Sequence, residues 1–250
     1  MQRRQVQLWS EAIGASGEVL AFGHWGRPVL CFPTLRGLAR DLEERGIVDA
    51  VAPLIEAGRV KLYCVDAFDR WSWQHHEPLT LEERALRHGA FETWVVDVVV
   101  PWIEADLGGR HDIVLIGPSF GAYHAVNLAL RRADRFPVAI GLSGVYDVSI
   151  FDDRDGHGRG DAVYFNNPVD YVANLGGEHL DWLRSRLDIT LVAGQGAWED
   201  STGALDSTRR LAALVAQKGI RHRLDLWGHD TPHDWPSWRA QLAHHLPRFC

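Results

Sequence analysis

Asp112-Ile113-Val114-Leu115-Ile116-Gly117-Pro118-Ser119-Phe120-Gly121-Ala122 carries four apolar residues into a Gly-x-Ser-x-Gly turn, and a helical pattern follows over residues 122–132. This is the pattern of a strand, a sharp turn and a helix. Such a turn holds its serine at the tip of the strand in a strained backbone conformation, with the hydroxyl projecting into open space. Gly117 and Gly121 fit because a Cβ at either place would strike the neighbouring strand or helix. The helix after Ser119 turns its N-terminus toward the hydroxyl, and that end of a helix favours developing negative charge. The plainer alternative is a glycine-rich turn whose serine caps the helix.

Outward from this stretch, the chain alternates strands and helices. Residues 5–10 and 18–24 read as antiparallel strands around a turn at 14–17. Residues 28–32, 60–65, 113–116, 137–142, 189–193 and 222–227 read as further strands. Helical spacing covers residues 37–58 in two pieces, then 81–106 with a bend before Pro101, then 122–132, 205–217 and 235–246. Strands alternating with helices imply parallel strands joined by right-handed crossovers. The expected architecture is therefore α/β: a mostly parallel twisted sheet with an antiparallel N-terminal edge and helices on both faces. Residues 1–250 read as one domain. The segment 144–187 is its least regular part, an excursion long enough for a lid or pocket wall, with short helices near 168–173 and 179–187.

Composition narrows the function classes. The 250 residues are 46% apolar and 24% charged, ordinary for a globular protein. A net charge of −7 without a basic stripe argues against a nucleic-acid partner. No stretch reaches the ~18 apolar residues of a membrane span, and no apolar run follows the basic Met1-Gln2-Arg3-Arg4. Three cysteines do not read as a disulfide framework, so a cytoplasmic, reducing location is expected. No cofactor is called for, and self-association into a homo-oligomer is left open.

A serine hydroxyl is a poor nucleophile until a base takes its proton, and the base must be oriented by an acid. His229 and His233 are the candidate bases, both in the loop before the last helix. His233 is preferred because it sits where that loop must return over the strand ends. A metal site made of the two is the competing reading, but Pro232 between them opposes a regular helical turn that would align them. The acid belongs after the strand at 189–193, in the loop 194–203. Glu199 is preferred there, Asp200 is the alternative, and Asp206 comes third because it falls on the next helix. Asp66 and Asp147 also end strands, where they suit pocket walls better. The oxyanion hole needs two backbone N–H groups. Phe120 supplies one, and Leu35, with Thr34 as the alternative, supplies the other from the loop Pro33-Thr34-Leu35-Arg36-Gly37. Arg36 and Arg40 add positive charge near that loop or pair on the surface.

The run Gly117-Pro118-Ser119-Phe120-Gly121 with Ala122-Tyr123-His124, together with His233-Asp234-Trp235-Pro236-Ser237-Trp238, resembles one branch of the α/β-hydrolases. That branch holds esterase D-like enzymes (S-formylglutathione hydrolases), feruloyl and siderophore esterases, and mycolyl transferases. In the transferases the catalytic histidine opens a His-x-Trp-x-x-Trp run, which His233, Trp235 and Trp238 match. The likeness covers residues 5–249. It implies acyl transfer by a serine esterase: Ser119 attacks an ester, His233 moves the proton, and water releases the acyl-enzyme. A small-molecule ester is the implied partner. An acyltransferase or thioesterase on the same triad is the first alternative, and a non-catalytic binding relative the second.

Several of the 11 tryptophans fall near strand ends, and Trp198, Trp235 and Trp73 are the candidates for lining an aromatic substrate cleft. The alternative is that they pack the rim of the sheet. Residues 71–77 are expected to shape the leaving-group side. The Gly- and Asp-rich run 152–161 has no standard calcium-loop spacing and reads as a flexible lid.

Overall fold

The central strands are apolar almost without interruption, which suits a sheet covered on both faces. The computed structural model, which describes residues 1–75, 78–152 and 159–250, has this arrangement. Its strands are β1 (Arg3–Ser10), β2 (Ala15–Phe22), β3 (Arg27–Cys31), β4 (Val60–Val65), β5 (Val114–Pro118), β6 (Val138–Leu142), β7 (Asp188–Ala193) and β8 (Arg221–Leu226). They form one sheet in the order β1-β2-β4-β3-β5-β6-β7-β8. β2 pairs antiparallel with both β1 and β4, while β3 to β8 run parallel. The antiparallel edge and the parallel centre are as the alternation implied. The hairpin turn lies three residues earlier than the sequence reading placed it. Gly14, at φ 72°, closes it by donating its N–H to Ser10 O at 2.8 Å.

Side chains on successive strand residues point to opposite faces, and the core divides accordingly. Val19, Ala21, Leu30, Tyr63 and Leu115 join one cluster beneath the helices of residues 81–107, 120–131 and 204–217. Leu20, Phe22, Val29, Leu62 and Ile116 join the other, against helices Ala39–Glu44 and Trp235–His245. Lys61 is the one charge within β4. It is buried because its ammonium meets Asp106 at 2.6 Å, and Arg4 and the Tyr63 hydroxyl converge on the same carboxylate.

The helical run at 81–107 begins on a capping box. Glu83 N–H donates to Thr80 Oγ1 at 3.2 Å, and Thr80 N–H donates to Glu83 Oε2 at 2.7 Å. The expected bend before Pro101 is a π-helical turn over Val95–Val99. Proline lacks an N–H and its ring crowds the carbonyl four residues back, so the wider turn relieves the clash without ending the helix.

Helix Phe120–Arg131 is buried on every side from Phe120 to Leu130. The sheet covers one flank and the excursion covers the other. Within 144–187 lie a 3-10 turn, Val148–Phe151, and helices Asp161–Phe165, Pro168–Asn174 and Gly177–Arg186. The Tyr123 hydroxyl donates to Asn166 O at 2.8 Å, and the Tyr171 hydroxyl donates to Asn127 Oδ1 at 3.0 Å. Glu92 lies between helices and accepts from Asn127 and Arg131. Burial opposes its charge, but the His88 ring and the Arg131 guanidinium outweigh that and hold the carboxyl below its ordinary pKa. Helix Asp161–Phe165 has no signal of its own in the sequence. Its N-terminus is capped from afar by Glu82, whose carboxylate accepts from the N–H groups of Gly160, Ala162 and Val163. Residues 153–158 of the expected lid, and His76 and Glu77 of the expected leaving-group loop, lie outside the described residues.

Candidate active site

In a parallel sheet, ligand sites form at the carboxyl ends of the strands. Six such ends meet here. Thr34–Gly37 follow β3, Asp69 follows β4, Ser119 follows β5, Ser143 follows β6, Glu199 follows β7 and His233 follows β8.

Ser119 sits at φ 54°, ψ −122°, a positive-φ conformation outside the ordinary helical and extended regions, which costs a non-glycine residue ~1–3 kcal/mol unless its surroundings impose it. Two glycines supply that imposition. A Cβ on Gly117 would lie 2.3 Å from the Gly121 carbonyl carbon, and one on Gly121 would lie 2.4 Å from both Phe32 O and Pro33 O. These approaches tighten the turn and press the start of its helix against the loop after β3. Ser119 N–H is fixed by Leu142 O at 2.8 Å.

The hydroxyl so displayed lies 3.0 Å from His233 Nε2, and His233 Nδ1 lies 3.3 Å from Glu199 Oε2. Serine, histidine and glutamate thus stand in one hydrogen-bonded line. The loops carrying the last two are joined by their backbones. Gly196 N–H donates to Thr231 O at 2.9 Å, Gln195 N–H donates to Gly228 O at 3.2 Å, and His233 N–H donates to Ala197 O at 2.9 Å. Glu199 is fully buried. Its other oxygen accepts from the Ser143 hydroxyl at 2.5 Å and from Gly194 N–H at 3.1 Å, so neither carboxylate oxygen is left bare. Asp234 caps the last helix through Ser237 N–H at 3.0 Å, which fixes the residue just after His233. The His233 ring stands edge-to-face against the buried Trp238, with centroids 4.9 Å apart.

The alternatives fall elsewhere. Asp200 is exposed and turns back to the Ser201 N–H. Asp206 lies on helix Ala204–Gln217, 3.9 Å from Arg209. His229 is exposed and bonds to Gln195 O rather than to Ser119. Asp66 holds the Glu18 and Ala39 N–H groups, and Asp147 caps the turn at Val148–Phe151.

Residues 34–37 form a turn closed by Gly37 N–H to Thr34 O at 2.8 Å. Leu35 N–H and Thr34 N–H have no partner among the described residues, and Phe120 N–H opens its helix with Ile116 O already accepting from Phe32. Arg36 bonds Gln74 Oε1 at 2.6 Å and is not free at the mouth.

The three tryptophans part company. Trp198 is 60% exposed and stands at φ 69° beside Glu199. Trp73 is fully buried, stacked on Phe151 at 6.0 Å and packed on Tyr123 and His88, so it is a core residue and not a cleft wall. Trp235 is half-buried, edge-on to Trp238 and beneath the Arg45 guanidinium.

Two side chains that the sequence reading did not weigh lie next to the site. Ser143 is buried at φ 51° and holds Glu199. Asp69 is buried between His124 and the loop after β3. Ser143 directly follows β6, and that position was the available signal; Asp69 lies in the loop after β4, which ends at Val65, and no residue beside it signals its role. Away from the serine, Asp225, His244 and His245 bring donor atoms within 4.8 Å of one another, the grouping among the described residues with metal-ligand chemistry. Trp227 Nε1 and His245 both already face the Asp225 carboxylate, at 3.1 and 3.0 Å.

The same architecture occurs in solved proteins. A ferulic acid esterase superposes with a TM-score of 0.76 at 18% identity, covering 99% of this chain and 96% of that one. MPT51 of Mycobacterium tuberculosis gives 0.75 at 15% identity, covering 99% and 97%. An S-formylglutathione hydrolase from Agrobacterium tumefaciens gives 0.72 at 12% identity, covering 98% and 93%. At these identities the likeness shows the α/β-hydrolase fold. No curated protein matches the sequence. No helix among the described residues is long and apolar enough to cross a membrane. Residues 32–249 match the family described as "Putative esterase", and the chain belongs to that family of carboxylic ester hydrolases.

Proposed function

We propose that this protein is a serine esterase that works through Ser119, His233 and Glu199 and an acyl-enzyme. The observation that carries the reading is the hydrogen-bonded line from the strained serine through the imidazole to a fully buried carboxylate. Ser119 Oγ attacks the ester carbonyl as His233 Nε2 takes its proton. Glu199 keeps the Nδ1–H tautomer facing it and stabilises the imidazolium that forms. The N–H groups of Phe120 and Leu35, with Thr34 as the alternative to Leu35, receive the oxyanion. His233 then gives its proton to the leaving alcohol. A water, activated by the same ring, attacks the acyl carbon and frees Ser119.

Within the single domain read from the sequence, the excursion at 144–187 acts here as a pocket wall. Its Phe151 stands edge-on to Phe120 at 5.3 Å, next to the nucleophile. The substrate is a small-molecule ester, and exposed Trp198, next to Glu199 in the chain, is an aromatic group available to touch it. Three free, sparse cysteines support a cytoplasmic location.

The test is reaction with a fluorophosphonate followed by peptide mass spectrometry, alongside turnover of a short-chain nitrophenyl ester. The adduct is expected on Ser119. No adduct, or one on another residue, removes the reading. Added alcohol or thiol acceptors then distinguish hydrolysis from transfer by their products.

A further inference from the structure

Asp69 and His124 take no part in the proton relay, yet both are buried beside it, with side chains 0% and 1% exposed. The Asp69 carboxylate uses one oxygen for each of two segments. Oδ1 lies 3.0 Å from His124 Nε2, five residues beyond the nucleophile on its helix. Oδ2 accepts from Arg36 N–H at 2.9 Å, one residue beyond Leu35. The tautomer that fits carries its hydrogen on Nε2.

The second bond selects a turn type. Thr34–Gly37 is closed by an i to i+3 hydrogen bond, Arg36 at the third position has φ 62°, and Leu35 is not at positive φ. That combination is a type II turn, whose third position ordinarily needs glycine. With arginine there, a type I turn is the easier local choice. The two types differ by a flip of the central peptide, here Leu35–Arg36. A flip would replace Arg36 N–H with Leu35 C=O in front of a buried carboxylate, which leaves Asp69 short of a donor and facing a carbonyl. The His124 ring adds packing on both sides. Its centroid lies 5.8 Å from Phe32, which leads into the turn, and 5.0 Å from Phe120.

We propose that Asp69, anchored on His124, is a positioning residue: it holds the turn carrying Leu35 in its type II form against the helix carrying Phe120, and so sets the two oxyanion donors in register. The inference rests on the serine-esterase reading and assigns the device that assembles its oxyanion hole.

The experiment compares Asp69→Ala, Asp69→Asn and the double variant Asp69→Ala/Arg36→Gly. Each is checked by near-ultraviolet circular dichroism and assayed on a nitrophenyl ester and for phenylboronic acid affinity. Loss of a well-placed oxyanion donor lowers kcat by about 10²-fold, so Asp69→Ala is expected to lose about that much in kcat, with KM within about threefold and boronate binding weakened in parallel. Glycine adopts the third position of a type II turn without strain, so the double variant recovers about tenfold of the lost kcat. Asp69→Asn keeps the volume but replaces one acceptor by a donor, and is expected to lose about tenfold. Wild-type kcat in both folded single variants, or in Asp69→Asn where Asp69→Ala does not fold, overturns the proposal. So does a rise in KM at constant kcat. If Ser119→Ala is dead while the Asp69 variants run at the wild-type rate, this inference alone falls. A wild-type protein inert to fluorophosphonate removes the esterase mechanism as well.

Discussion

The two turns that meet at the site are built in opposite ways. The Ser119 turn is held by its own neighbours: Gly117 and Gly121 stand two residues either side, and backbone packs directly against them. The turn at Thr34–Gly37 also holds a non-glycine residue at positive φ, but a carboxylate from the loop after β4 maintains it. Glu199 belongs with the second kind, since Ser143 after β6 and the backbone pairing of two loops hold it in place. Strain imposed by adjacent glycines is written in five consecutive residues. Strain imposed across the fold is written nowhere in particular, and it appears only when the strand ends come together.

This contrast sets the scale of what substitutions do. Ser119→Ala leaves the backbone of its turn intact and removes the proposed attacking atom, so kcat on a nitrophenyl ester should fall by about 10⁵–10⁶ with unfolding unchanged. Glu199→Gln should lower kcat by about 10³–10⁴, because an amide facing Nδ1 favours the wrong tautomer. Asp200→Asn, one residue away and exposed, should stay within about twofold. If the Asp200 variant were the damaged one, the loop would hold its acid differently from the geometry described above.

The legible part of the molecule follows the same division. The mostly parallel sheet, its antiparallel edge and the serine turn could be read because hydrophobic periodicity and Gly-x-Ser-x-Gly are local signals, whereas the strand order was not read. The position of His233 could be read from its place before the last helix. The competition between Glu199 and Asp200 could not be decided from the residues, since both are carboxylates in one loop. What separates them is burial and the Ser143 hydroxyl, which comes from a different crossover. Trp73 was misread because a tryptophan in a loop after a strand has the same one-dimensional appearance whether it faces a cleft or the core. Phe151 stacked on it and Tyr123 edge-on to it come from the excursion and from the helix after Ser119. Asp69 was missed for the same reason: nothing adjacent to it marks a carboxylate that will bind the backbone of residue 36.

Stability separates the two turns more sharply than activity does. Gly121→Ala puts a methyl group 2.4 Å from two carbonyl oxygens, Phe32 O and Pro33 O, and neither is the end of a flexible side chain. Backbone must move, and a loss of about 3 kcal/mol or more in denaturant unfolding is expected. A loss under about 1 kcal/mol would mean that the loop after β3 yields easily, and the local account of the Ser119 turn would then fail.

The smallest effect is the most discriminating. Arg36→Gly places glycine where the backbone already has φ 62°, which removes the steric cost of a Cβ there. Against this stands the lost hydrogen bond to Gln74 at 2.6 Å and the greater freedom of glycine in the unfolded chain. These terms oppose each other and are each about 1 kcal/mol, so unfolding stability should change by less than about 1 kcal/mol. Because Asp69 still accepts the N–H of residue 36, kcat should stay within about threefold. The same glycine that is indispensable at 121 is thus merely tolerated at 36. A clear gain in stability would mean that the arginine conformation is sustained at real cost by the distant carboxylate. A clear loss would mean that the Arg36 side chain itself, through Gln74, holds the turn.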